Sequence, residues 1–263
     1  MSENFDLICE VNGFLREKIL QCIKNVISRI EQTKPDIISK KLIFKIRREP
    51  YGGKVNIKKF EIALDENLIR SASEGFIRWL IAHEIAHIDC RVQRMTPLAP
   101  SFWRTFSFLL KHARYLVRPW FFAFTAKILE DIYVNRKIVE WGFIEEFVEF
   151  AEKYYIRDLG SRVTFAEGIT EFKDKLIYFL GEDYLTDILH FLDKDQFGSF
   201  YKSLRNISLI FYSLYPKEIL RAAKKIYEEI WKHEFPIDSK GFRKIFDAVV
   251  KEISSLKSLR FEV

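Results

Sequence analysis

Residues 74–89 read Glu-Gly-Phe-Ile-Arg-Trp-Leu-Ile-Ala-His-Glu-Ile-Ala-His-Ile-Asp, with His83, Glu84 and His87 inside the run. Phe76, Ile77, Leu80, Ile81, Ile85 and Ile88 recur at helical spacing and leave almost no polar face, so the stretch is expected to be a helix buried in its domain. Ser71 with Glu74 three residues later is expected to open it as a capping box. Side chains four apart on a helix lie on one face, about one turn apart. His83 and His87 can therefore reach one metal ion. Glu84 sits beside the first ligand, placed to take a proton from a water held there. The chain has only five histidines, so chance gives this pattern about once in a hundred such sequences. The bland alternative is two core histidines satisfied by neighbouring groups. It would bury two imidazoles and a carboxylate together, which is costly unless each is paired.

Upstream, Phe14, Ile19, Ile23, Val26 and Ile30 predict a helix over 12–32. Two strands are expected next. Lys41–Glu49 alternates Leu42, Phe44 and Ile46 against a mostly basic face, and Lys54–Leu64 puts Phe60, Ile62 and Leu64 on one face. Pro50-Tyr51-Gly52-Gly53 is expected to join them as a hairpin loop. Downstream, helices are expected over 101–117, 122–140, 144–155, 164–180, 184–192, 196–214, 216–233 and 239–256, with Pro216 in a first turn. No internal repeat is present. Helix, two strands, then many helices gives an α+β class that is mostly helical, with a small N-terminal sheet. The division expected is 1–142 as the core carrying the motif and 143–263 as a helical region packed on it.

Catalytic zinc takes three protein ligands and keeps one position open. No third histidine is well placed, so the best source is Glu130-Asp131. Asp131 shares a face with Ile128, Asn135 and Ile138, which should pack inward. Glu130 shares one with Lys127 and Lys137, which should be solvated. Asp131 is the preferred third ligand and Glu130 the alternative. Asn135, one turn beyond Asp131, can accept from the outer nitrogen of a ligand histidine and fix its tautomer. The bland reading of both acids is a solvated helix face.

With these residues in place, the chain resembles the zincin metallopeptidases over about 41–138. The helix 74–89 with His-Glu-Ile-Ala-His, the strand 59–64 before it and the later acidic helix carry the likeness. The resemblance implies a zincin-like core, a zinc ion held by His83, His87 and an acid, and peptide hydrolysis with Glu84 as general base. It also implies Lys59–Leu64 as the sheet edge along which a peptide or protein substrate lies. Asp131 followed four residues later by Asn135 departs from the usual Glu-then-Asp register of the glutamate type. It is closer to the pattern of some predicted bacterial and archaeal metallopeptidases. No third histidine follows His87 as in the metzincins. A donor for the developing oxyanion is expected, with Tyr133, His112, Tyr154, Tyr155 and His190 as candidates. His112, His190 and His233 each have the bland reading of an ordinary surface or core histidine, and Cys90 reads as packing.

Composition bounds the alternatives. The 263 residues carry 43 Lys and Arg against 37 Asp and Glu, a net +6. The charges are interleaved, which argues against a nucleic-acid arm. Three cysteines without a CxxC pair argue against a disulfide framework or a cysteine-only metal site. No basic-then-apolar leader opens the chain, and Arg104, Lys111, Arg114 and Arg118 break its most apolar region, so a cytoplasmic protein is expected. The aromatic stretch 102–124 reads as a core seam or as a lid or membrane-surface helix over the cleft. Two other functions compete: a catalytically silent zinc-binding scaffold that binds a partner, and a basic nucleic-acid binder in which the motif is accidental.

Overall fold

The structure is a computed structural model that describes residues 5–9, 13–33, 41–47, 53–56, 59–92, 119–155, 169, 171–235 and 237–256. The chain divides into two compact units that interleave in sequence. The first is Met1–Gln93 with Val134–Lys153, and the second is Arg94–Tyr133 with Tyr154–Val263. The expectation from sequence was a single cut at 142.

The first unit holds a four-stranded sheet: β1 (Phe5–Cys9), β2 (Leu42–Arg47), β3 (Gly53–Asn56) and β4 (Glu61–Asp65), in the order β1-β2-β4-β3. Period-2 alternation predicted β2 correctly, with Leu42, Phe44 and Ile46 buried. The helix α1 (Phe14–Thr33) follows β1 and buries Ile19, Cys22, Ile23, Val26, Ile27 and Ile30. Its length lets β2 run parallel to β1, since parallel strands need a long crossover.

Two expectations about the sheet are corrected. The stretch 54–64 is two strands, not one. Phe60 adopts a positive φ of 51°, and β3 folds back antiparallel on β4, with Gly53 opposite Leu64 and Asn56 opposite Glu61. Nor is there a hairpin between β2 and its successor, because β2 pairs with β4 in parallel register, Phe44 opposite Ile62. As a result β4 is interior, and β1 and β3 are the edges. Burial agrees: Glu61, Ile62, Ala63 and Leu64 are all buried, as a strand flanked on both sides requires. Glu61 carries its charge inside by pairing with Lys45 across the strands at 2.7 Å.

A short helix, α2 (Glu66–Ser71), intervenes before the motif helix, and Asp65 caps it by accepting from the Leu68 amide at 3.1 Å. The motif helix α3 (Glu74–Val92) is therefore capped by Ser73, whose Oγ accepts from the Phe76 amide at 3.3 Å. The capping box expected at Ser71 is displaced, because Ser71 is the last residue of α2 and its hydroxyl donates back to the Leu68 carbonyl. The helix α4 (Pro119–Glu140) begins on its proline, which suits a first turn. It ends on Gly142 at φ 76°. There the Gly142 and Phe143 amides donate to Val139 and Ile138, closing the helix end. Ile144–Phe150 forms α5, continued by a π turn over Ala151–Tyr155.

The described part of the second unit after the π turn is helical: α6 (Phe172–Glu182), α7 (Tyr184–Phe191), α8 (Gly198–Ser213), α9 (Lys217–Ile230) and α10 (Ser239–Leu256). In α9, Ile219, Ala222, Ala223, Ile226, Tyr227 and Ile230 form one buried stripe, the amphipathic pattern legible in sequence. At the start of α7, Asp183 accepts from the Thr186 amide at 3.1 Å and from its hydroxyl at 2.6 Å. Burial pushes the Asp183 carboxyl up to about 6, against the hydrogen bonds that favour its charge. The folded state thus holds this proton more tightly than the unfolded chain. Stability from this group is present below pH 4 and is lost as pH rises toward 6. We expect thermal melts of Asp183→Asn to lack that loss while wild type shows it; equal pH profiles would refute the assignment.

Candidate metal centre

Why α3 presents the motif as it does follows from its surroundings. From Gly75 to Cys90 nearly every side chain is buried, so the helix runs through the interior of the first unit rather than along its surface. It packs on α1, on α5 and against β3. Glu146 of α5 fixes it electrostatically, accepting from Arg78 Nε at 3.1 Å and from Arg29 of α1 at 3.2 Å. Gly75 permits close approach at its start, since a Cβ there would meet the Glu149 carboxylate.

On this helix Trp79, His83 and His87 occupy successive turns of one stripe. The two imidazoles meet edge-to-face with ring centroids 4.8 Å apart. Their Nε2 atoms lie 3.2 Å from each other. Two nitrogens each 2.0–2.1 Å from one zinc at the tetrahedral angle stand about 3.3–3.4 Å apart. The observed separation is thus close to one edge of a zinc tetrahedron. It is also at the long limit for a direct ring-to-ring hydrogen bond. Burial, and then the neighbouring His87, hold the His83 imidazole well below the usual histidine range. It is neutral at pH 7, the form that ligates a metal. Glu84 is buried and next in the chain to His83, while His87 is half-buried.

Among the described residues, no three His, Cys, Asp or Glu side chains are grouped to hold an ion. Glu130 and Asp131 lie on α4 within the second unit, and His83, Glu84, His87 and Asn135 within the first. Ile128, Asn135 and Ile138 are buried as expected, but so is Lys137, whose ammonium pairs with Glu140. Glu130 and Asp131 are both half-buried, so exposure does not separate them.

Of the oxyanion candidates, Tyr133 is buried with its ring 6.2 Å from Phe235. His190 stacks on Trp231 with centroids 4.0 Å apart. His112 and most of the aromatic stretch 102–124 lie outside the described residues, as do the side chains of Tyr154 and Tyr155. His233 faces Glu229 at 3.5 Å. Cys90 is buried, in keeping with a packing role. Sequence reasoning missed Trp79, which it counted only as part of an apolar helix, and the buried carboxylate Asp89. Among the described residues, no helix is long and apolar enough to cross a membrane. Compared with known proteins, the chain matches no family model, no curated protein and no solved structure.

Proposed function

We propose that this protein is a zinc-dependent metallopeptidase of the zincin type. The observation that carries the reading is the 3.2 Å approach of the two Nε2 atoms on adjacent turns of a buried helix, with Glu84 next in the chain to His83. His83 and His87 would hold the ion, with Asp131 as third ligand and Glu130 as the alternative. Zinc bound there supplies a water of pKa about 7 and a Lewis acid for the carbonyl. Glu84 takes the proton of the attacking water and returns it to the leaving amine. Asn135 accepts from the outer nitrogen of a ligand imidazole and holds its tautomer. A peptide or protein substrate is bound by strand addition. β4 is interior, so that role passes to β3, the edge strand that lies against α3.

The competing reading is a catalytically silent zinc-binding scaffold that serves as a regulatory or partner-binding protein. One set of measurements decides. The peptidase reading expects one zinc per chain in the purified protein, lost in His83→Ala and in His87→Ala, together with cleavage of a peptide library. Stoichiometric zinc without cleavage favours the scaffold. If wild type and both alanine variants carry equally little metal, neither reading stands.

A further inference from the structure

His83 is held between two rings on its own stripe, His87 one turn after it and Trp79 one turn before. The Trp79 and His83 ring centroids are 5.2 Å apart with planes tilted by 40°. Trp79 is itself clamped. It stacks on Phe150 of α5 at 3.9 Å with planes only 9° apart. Phe76 and Phe147 complete the cluster, at 5.7 and 6.3 Å from the indole. Trp79 is 6 % exposed, and its Nε1 is buried with no hydrogen-bond partner among the described residues. An indole N–H is a donor only, and leaving it unmade in the interior opposes folding. A phenyl ring at this position would stack without that cost. What the indole adds is breadth, enough to lie on Phe150 and reach His83 together.

We infer that Trp79, pressed against Phe150, is a positioning residue that fixes the ring plane of His83 and so sets the geometry and affinity of the metal centre. The inference rests on the reading of His83 and His87 as ligands. A metal-bound imidazole needs its nitrogen lone pair aimed at the ion, and the groups that orient it commonly govern affinity by 10–100-fold. Those groups are usually hydrogen-bond acceptors. Here the restraint is a packed aromatic face, in which interdigitated side chains stay in fixed rotamers.

The test uses the full chain and metal alone. Zinc affinity is measured by chelator competition, and the visible spectrum of the cobalt(II)-loaded protein reports coordination geometry. Trp79→Phe and Trp79→Leu are compared with wild type and with Phe44→Leu, an aromatic-to-leucine change in the sheet outside this cluster. We expect Trp79→Leu to bind zinc about 10–100-fold more weakly with a shifted cobalt spectrum, and Trp79→Phe to fall between. Phe44→Leu, although destabilised, keeps wild-type affinity and spectrum. If Trp79→Leu binds with unchanged affinity and spectrum, or if Phe44→Leu weakens binding equally, Trp79 has no positioning role while the metal site stands. If wild type itself binds no zinc, the site reading and this inference fall together.

Discussion

Glu84→Gln is expected to keep zinc stoichiometric and to lower peptide cleavage by about 10²–10⁴-fold, the usual contribution of a general base. The substitution preserves shape and removes only the capacity to take a proton, so a folded, metal-loaded and inactive protein is the outcome that identifies the role. Glu84 is buried within the core of the first unit. A structural carboxylate there would instead reveal itself as lost stability in the glutamine variant. Melting curves and zinc analysis run beside the activity assay separate the two. If Glu84→Gln cleaves peptides at the wild-type rate, the proton acceptor is another group and the proposed chemistry is wrong. The effect must fall on kcat as well as kcat/KM, because a group that moves a proton acts in the transition state and adds little to substrate binding.

The helix that carries Glu84 was legible because its evidence is local. A four-residue spacing of histidines and an unbroken apolar surface determine which side chains converge and how deeply the helix is buried. What was illegible depends on partners. Alternation in Leu42–Arg47 shows that one face is buried but says nothing about which strand lies alongside, so the parallel pairing with β4 could not be read. The run 54–64 carries no glycine or proline at the point where it folds back on itself, and Phe60 adopts the positive φ instead. Strand β1 is five residues long and left too short a pattern to register. Face arguments on α4 share the limit: periodicity ranked Asp131 above Glu130, yet Lys137 on the supposed solvated face is buried through its pairing with Glu140. A third ligand is a matter of distance between elements, and helical phase does not supply distances.

The largest stability effect is expected at Glu146, which no motif or periodicity singles out. It is 4 % exposed and accepts from both Arg78 and Arg29. Arg29 also donates to the Gly142 carbonyl at 3.1 Å and lies over the Phe143 ring at 4.5 Å. The carboxylate thus ties α3 to α1, and Arg29 ties α1 to the turn after α4. Removing one member of a buried pair leaves uncompensated charge and costs about 3–5 kcal/mol. The two guanidiniums are a quarter to a third exposed and can partly rehydrate. Glu146→Ala is therefore expected near the low end, at about 3 kcal/mol. Glu146→Gln, which keeps one acceptor oxygen, should lose about half as much. By contrast the exposed pair Glu66–Arg70, one turn apart on α2, should contribute only about 0.3–0.5 kcal/mol. Denaturant midpoints at constant slope provide the measurement. A loss below about 1 kcal/mol for Glu146→Ala would mean that aromatic packing between α3 and α5, rather than this charge network, holds the motif helix in place.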